Sequence, residues 1–295
     1  MHSNFPRLDI GPLSAYRKDE VMLSRFSNYL EEHQNLVFPH RHSFYHLVLF
    51  TEGAGTHTID FTHFSVEPFQ IYFMAPGQVH DWNFEGIPEG YVVNFSESFF
   101  RSFLLQPDYL DTFAFFRGDG TKCVLNIREN NREEIVSLFE RILNRNLHND
   151  QSDKDLIKVI LLQIFLILKQ STSSVGEHPV HVPNNIVTKF QKLVDQKFET
   201  VRSPGDYAEE LNITRNHLNA LCKEHLGLQA GQVIRNRLAL EIKRLLINLD
   251  LSVSQIAYRL NFSDNSYFTR FFRKETGETP EEFRRKATVK SRQSG

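Results

Sequence analysis

The sequence predicts an α+β multidomain chain: a small N-terminal β-barrel followed by helices, then a C-terminal all-α domain with two helix-turn-helix units. Three observations carry this. Short alternating segments punctuated by Gly and Pro occupy about Leu36 to Phe95, and helical periodicity takes over from Arg132. The charge is also divided. From Pro183 onward 19 Lys and Arg face 13 Asp and Glu, net +6, whereas the preceding residues carry 15 against 23, net −8, within a total of −2. At 295 residues the chain is long enough for two cores. A basic part joined to an acidic part fits a reader of a polyanion attached to a partner domain.

In chain order, alternation appears first in His42–Phe50, then a turn is expected at Gly53-Ala54-Gly55 and a strand at Thr56–Phe61. Further strands fit Gln70–Met74 and Gly90–Phe95, with Pro76-Gly77 turning between them. Period-2 geometry puts His40, His42 and His46 on one face of one strand, so that with His80 four imidazoles can converge. Such a cluster suits Zn, Ni, Fe or Cu. It equally suits hydrogen bonding to an organic effector, or mutual satisfaction inside a core. Tyr72 and Trp82, with Tyr45 and Phe73, are near enough in sequence to line a cavity, although aromatics in short strands also simply fill cores.

Two helices are expected next, at about Arg132–Leu147 and Ser152–Lys169. Ile135, Leu138, Phe139 and Ile142 give the first its stripe; the second is apolar nearly all round, from Leu156 and Val159 to Ile167 and Leu168. One face can cover the barrel. The other needs either a second copy of the chain, which makes a homodimer, or burial against Phe99, Phe100, Phe103 and Leu104. Ser171–Pro179 is polar and aperiodic, and reads as a flexible linker.

The last third holds two helix-turn-helix patterns in tandem, Tyr207–Lys223 and Ser252–Lys274. In the second, Ile256, Ala257 and Leu260 form the buried stripe, Asn261 supplies the left-handed turn residue, and Ser263 is expected to cap the next helix. Phe268, Phe271 and Phe272 point inward at helical spacing. The recognition helices are placed at about Thr214–Glu224 and Ser263–Glu275. Candidate DNA contacts on the first are Thr214, Arg215, Asn216, His217, Asn219, Ala220 and Lys223. On the second they are Ser263, Asp264, Asn265, Ser266 and Tyr267, then Thr269, Arg270, Arg273 and Lys274. Any one outward Arg or Asn is ordinarily solvated surface; two such units in tandem, each with basic residues on its second helix, point to double-stranded DNA.

These residues resemble the AraC/XylS family of transcriptional regulators, in Leu251–Phe262 and in the tail Phe271–Arg284, over about Asn184 to Lys286. The resemblance implies seven helices, with a long linking helix near Ala230–Asn248 bearing Val233, Ile234, Leu238, Ile242, Leu245 and Leu246. The chain departs from that pattern at Asn261, where Gly is usual, at Gln229, where a Ser or Thr cap is usual, and at Ile242, where a small residue is common. The N-terminal part resembles the cupin barrel found in the sensory half of many such regulators, through Pro39–His46 with Glu52–Gly55, and Pro76–Asn83. Metal-binding cupins use His-x-His, a Glu and a distant His; here His40, His42 and His80 match, and His46 stands in the Glu position. Sensory cupins commonly lack a metal, so the resemblance implies no cofactor and a small-molecule effector near His40, His42, His46, Tyr72, His80 and Trp82. Were a metal held, its ligands would be His40, His42, His46 and His80.

The expected organisation is therefore a cupin-like effector domain over 1–130, a helical dimerisation and coupling segment over 131–170, a linker over 171–183, and an AraC-type DNA-binding domain over 184–288. Its two helix-turn-helix units would span about 205–226 and 252–275, with a tail at 289–295. Two cysteines, Cys123 and Cys222, point to a reduced compartment rather than a disulfide framework. The first residues lack a secretory pattern, and the Val159–Leu168 run is too short to span a bilayer, so a cytoplasmic protein without membrane contact is expected. The function expected is a sequence-specific, effector-responsive transcriptional regulator, an activator rather than a repressor, working with RNA polymerase and not an enzyme. The alternative is a cupin metalloenzyme fused to a regulatory DNA-binding domain.

Overall fold

The computed structural model describes residues 7–8, 21–33, 39–101, 103–104, 109–116, 122–145, 151–172, 185–248 and 251–293. The chain divides into two compact units, one within residues 5–177 and the other within 178–295.

The first unit is a mostly antiparallel sheet of eight strands with helices on it. Its strands are β1 (Arg7–Leu8), β2 (Val21–Arg25), β3 (His40–His42), β4 (Tyr45–Ile59), β5 (Thr62–Ser65), β6 (Gln70–Met74), β7 (Val79–Phe95) and β8 (Val124–Asn126). They run in the order β1-β3-β7-β4-β6-β8, with β2 paired to β7 and β5 to β4. Two long strands, β4 and β7, form the spine. The turn expected at Gly53-Ala54-Gly55 is not a turn: β4 continues unbroken through it, with register shifts against β7 between Phe50 and Ala54. Glycine is needed there because the strands approach so closely. A Cβ on Gly90 would lie 1.9 Å from the Leu49 carbonyl oxygen, and one on Gly55 would lie 2.3 Å from that of Asn83.

β6 is buried on both faces, so Gln70–Met74 is buried throughout instead of at alternate residues. One set of alternate residues, Val48, Phe50, Tyr72, Met74, Trp82 and Val92, closes an inner core with Phe26 and Tyr29 of α1 (Phe26–Glu32). The opposite set, including Leu47, Leu49, Ile71, Phe73, Val93 and Phe95, packs outward. It meets the short helix α2 (Glu97–Arg101), the 3-10 turn Ala114–Phe116, α3 (Glu129–Leu143) and α4 (Gln151–Thr172). The first expected helix thus starts at Glu129 and ends at Leu143, short of the expected Leu147, which lies outside the described residues; the second starts one residue earlier than expected and runs on to Thr172. Ile157, Ile160, Leu161, Ile164, Phe165 and Leu168 bury most of α4 in this outer core, with Phe99 and Phe100 among their partners. Leu156, Val159 and Leu166 stay 37–48% exposed.

The second unit contains, among the described residues, seven helices: α5 (Asn185–Lys197), α6 (Pro204–Glu210), α7 (Arg215–Leu226), α8 (Ala230–Leu246), α9 (Val253–Arg259), α10 (Asn265–Thr276) and α11 (Pro280–Gln293). The last one continues into the segment expected to be a tail, whose final two residues lie outside the description. The linker expected at 171–183 also lies outside it from residue 173 on. One apolar core unites the unit: Ile234, Leu238, Ile242, Leu245 and Leu246 of α8 share it with Tyr207, Leu218 and Cys222 of the first helix-turn-helix unit and with Ile256, Leu260, Phe268 and Phe272 of the second. Phe271, expected to point inward, is only half-buried at the edge.

Candidate DNA interface and candidate effector site

The two helix-turn-helix units are built alike from local chemistry. In each, an Asn adopts the left-handed conformation at the turn, Asn212 and Asn261 both at φ 55°. The next residue's N–H then donates back to the small residue of the first helix, Ile213 to Ala208 at 2.9 Å and Phe262 to Ala257 at 3.0 Å. Ala at both positions lets the second helix approach. Each recognition helix ends on a left-handed glycine, Gly227 and Gly277, whose N–H reaches the carbonyls of Lys223 and Arg273.

The starts of these helices differ. In the first unit Thr214 caps α7, its hydroxyl accepting from the His217 N–H at 3.2 Å. The second turn is one residue longer, so the cap is Asp264, which accepts from the Tyr267 N–H at 2.7 Å. Ser263, the expected cap, donates instead to the Asp264 carboxylate at 3.2 Å. The Tyr267 N–H holds that carboxyl below its ordinary range. In α9 Ser252 and Gln255 make a reciprocal capping box.

Of the candidate contacts, Arg215, Asn216, His217, Ala220 and Lys223 face solvent on α7, as do Ser266, Tyr267, Arg270, Arg273 and Lys274 on α10. Thr269 is half-buried. Asn219 is a different matter: its side chain accepts from the Ala230 N–H at 3.1 Å and caps α8 in place of Gln229, which makes no such bond. Asn265 donates to Ser254 at 2.8 Å, tying α10 to α9 across an open groove beside Tyr258 and Phe262. Cys222 is buried in the core, and burial pushes its thiol up to about 11.

In the sheet unit, His40, His42, His46 and His80 are all at most 3% exposed and meet on the inner face. His40 and His42 lie on β3 and His46 on β4, so they share a face across a bend at Ser43-Phe44 rather than along one strand. The register sets His40 directly opposite His80, and His46 directly opposite Asn94. A fifth imidazole, His57, was not foreseen. It stands beside His80 across the β4–β7 pair, with His57 opposite Trp82 and His80 opposite Ile59. Only the inter-strand register could have revealed it.

The rings are in contact. His42 Nε2 and His80 Nε2 are 2.7 Å apart, and His57 Nε2 and His80 Nδ1 are 3.1 Å apart. His46 Nδ1 meets Asn94 Oδ1 at 2.5 Å, and its ring stacks on His42 with centroids 4.8 Å apart. Trp82 crosses His80 at 4.9 Å, and Tyr72 tilts over His57 at 4.7 Å. Tyr45 and Phe73 belong to the other face, because their neighbours His46 and Tyr72 take the inner one. Burial drives the imidazoles to the neutral form, assisted by their neighbours' charge: His46 falls to about 3, and His42, His57 and His80 lie well below the ordinary value.

A reader of two tandem helix-turn-helix units, in a chain that also carries a sheet domain with a polar centre, defines a ligand-binding, DNA-binding regulator. Residues 207–286 match the helix-turn-helix domain family, and residues 28–165 match the AraC-like ligand binding domain. The chain is 20% identical over 282 residues to the HTH-type transcriptional activator RhaR of Mannheimia succiniciproducens, covering 90% of this chain and 97% of that protein. It is 22% identical over 246 residues to the arabinose operon regulatory protein of Escherichia coli, covering 81% and 80%. To the probable transcription factor PqrA of Proteus vulgaris it is 30% identical over 102 residues, covering 35% and 79%. The chain belongs to the AraC family of DNA-binding transcriptional regulators.

Proposed function

We propose that this protein is an effector-responsive transcriptional activator that acts as a homodimer, reading DNA with α7 and α10 and sensing a ligand at the inner histidine cluster. The observation that carries the DNA half is the tandem repeat, with Arg215 and Lys223 on one recognition helix and Arg270, Arg273 and Lys274 on the other, all facing solvent. Two such helices fit two successive major-groove segments about 34 Å apart. Relatives named as activators support activation over repression, and activation implies productive contact with RNA polymerase. The same relatives are regulators, which supports a non-enzymatic role. Among the described residues no helix is long and apolar enough to cross a membrane, in keeping with a cytoplasmic regulator.

Dimerisation is supported by the exposed stripe of α4. Leu156, Val159, Gln163 and Leu166 recur at spacings of three, four and three along one side, close to the alternation of a coiled-coil seam. The test begins with duplexes selected from a random pool by the full chain. Fluorescence anisotropy should show tight binding to the selected sequence and weak binding to a scrambled one. Equal affinity for both would overturn sequence-specific recognition. Sedimentation of Val159→Glu should give monomers where the parent gives dimers; a monomeric parent removes the dimer.

A further inference from the structure

The inner face holds an arrangement that an organic ligand does not need. His40, His42 and His80 each offer a ring nitrogen, and these three atoms lie within 4.8 Å of one another, fully buried. No carboxylate belongs to the group, so it is a purely imidazole donor set, which disfavours the oxygen-seeking Ca²⁺ and Mg²⁺.

The surroundings are those of a ligating centre. His80 spends one nitrogen toward His42 and the other toward His57 Nε2 at 3.1 Å. A ligating imidazole ordinarily donates its far N–H to a fixed acceptor, which sets its tautomer and ring orientation, and His57 stands where that acceptor is needed. His46 has the same form: Nδ1 is held by Asn94, whereas its buried Nε2 has no hydrogen-bond partner. The Nδ1 atoms of His42 and His57 are likewise buried without one. Trp82 closes the other side, its ring 5.8 Å from His40 and from His46.

We propose that His40, His42 and His80 bind a divalent first-row transition-metal ion, that His57 positions His80 for it, and that this ion is the ligand the domain senses. The last part rests on the effector reading above. An ion with metal–nitrogen distances of about 2.0–2.1 Å spaces tetrahedral ligands about 3.3 Å apart. Entry therefore replaces the 2.7 Å His42–His80 contact and draws His40 in, through side-chain rotation on backbones already in register. His46 Nε2 or a water completes the coordination.

The experiment titrates the full chain, stripped with chelator, with Co²⁺ and follows its visible d–d bands. One ion per chain with the intense spectrum of a tetrahedral site is expected, displaced by Zn²⁺. His42→Asn and His80→Asn should lose that spectrum, whereas His63→Ala, outside the cluster, keeps it. His57→Leu should weaken Co²⁺ affinity about 10- to 100-fold, and His57→Gln, which retains an acceptor, should restore most of it. That pair decides the matter even if the first two variants misfold by circular dichroism. Absence of the tetrahedral spectrum in the parent, or its persistence in folded His42→Asn/His80→Asn, overturns the metal site. Zn²⁺ should also shift affinity for the selected duplex several-fold to about a hundredfold. A bound ion with no such shift overturns the sensing role. A shift produced by an organic compound in a chain that takes up no Co²⁺ overturns the metal and leaves the effector reading standing.

Discussion

The guanidinium of Arg202 donates from Nη2 to the carbonyl oxygen of Leu260, 58 residues away, while lying 4.0 Å over the ring of Phe262. Leu260 ends α9, where a helix leaves carbonyls without internal partners, and Arg202 comes from the segment before α6. One side chain from the first helix-turn-helix region thus closes the turn of the second. Asn261, in that same turn, donates to the Glu199 carbonyl at 3.3 Å and reinforces the link.

Arg202→Ala should therefore destabilise the second unit by about 1–3 kcal/mol, the usual cost of a lost charged hydrogen bond with its carbonyl left unmet. Arg202→Lys, which keeps the cation above Phe262, should recover part of this. Urea unfolding of the full chain followed by circular dichroism reads both; an unchanged midpoint for the alanine variant would falsify the staple.

Asp264→Ala should cost about 1 kcal/mol through loss of the α10 cap, whereas Asp264→Asn keeps an acceptor for the Tyr267 N–H and should be nearly neutral. Asn219→Ala should cost a similar amount by orphaning the Ala230 N–H. Should Asp264→Asn hold its melting temperature yet lose preference for the selected duplex, the residue reads a base as well.

Arg215→Ala and Arg270→Ala should each cost about 1–3 kcal/mol of binding and relax preference at one position, as expected of bidentate contacts to guanine. Lys223→Ala should weaken all sequences alike and reduce the slope of log affinity against log salt by about 1. A salt slope unaffected by all three changes would remove α7 and α10 from the interface.

Gly90→Ala should abolish soluble protein, because its methyl would lie 1.9 Å from the Leu49 carbonyl oxygen at a φ of +151°. Gly86→Ala meets no atom within 4 Å and should cost only about 1–2 kcal/mol for its left-handed backbone. Comparable melting temperatures for the two variants would contradict the β4–β7 contact.

Cys222 should resist iodoacetamide at pH 8 in the folded chain and react fully in urea. Its thiol titrates near 11 when folded against an ordinary value of 9.0. Because the folded value is raised, the stability linked to the neutral thiol is complete below about pH 9 and erodes as the pH climbs toward 11. Rapid native labelling at pH 8 would place the thiol outside the core.

Much of the reader was legible because its signals are local. The left-handed Asn261, the stripe of α8 and the spacing of Ile256, Ala257 and Leu260 are each settled within a few residues. The same locality misled at Ser263: a one-residue difference in turn length moved the cap to Asp264, and a serine beside an aspartate does not announce which will serve. Asn219 shows the converse. Its exposed-looking helical position hid a cap for another helix, eleven residues on.

By itself the sequence determined the two-part organisation, the tandem repeat and the parity that puts His40 and His42 on one face of a strand, since periodicity and charge act along the chain. Only the tertiary structure decided that β4 passes through Gly53–Gly55, that His57 joins His80, that His46 pairs with Asn94, and that Arg202 reaches Leu260. These depend on inter-strand register and on contacts 23 to 58 residues apart. Such relations are set by how whole surfaces pack and satisfy their buried polar groups, which no local pattern of side chains encodes.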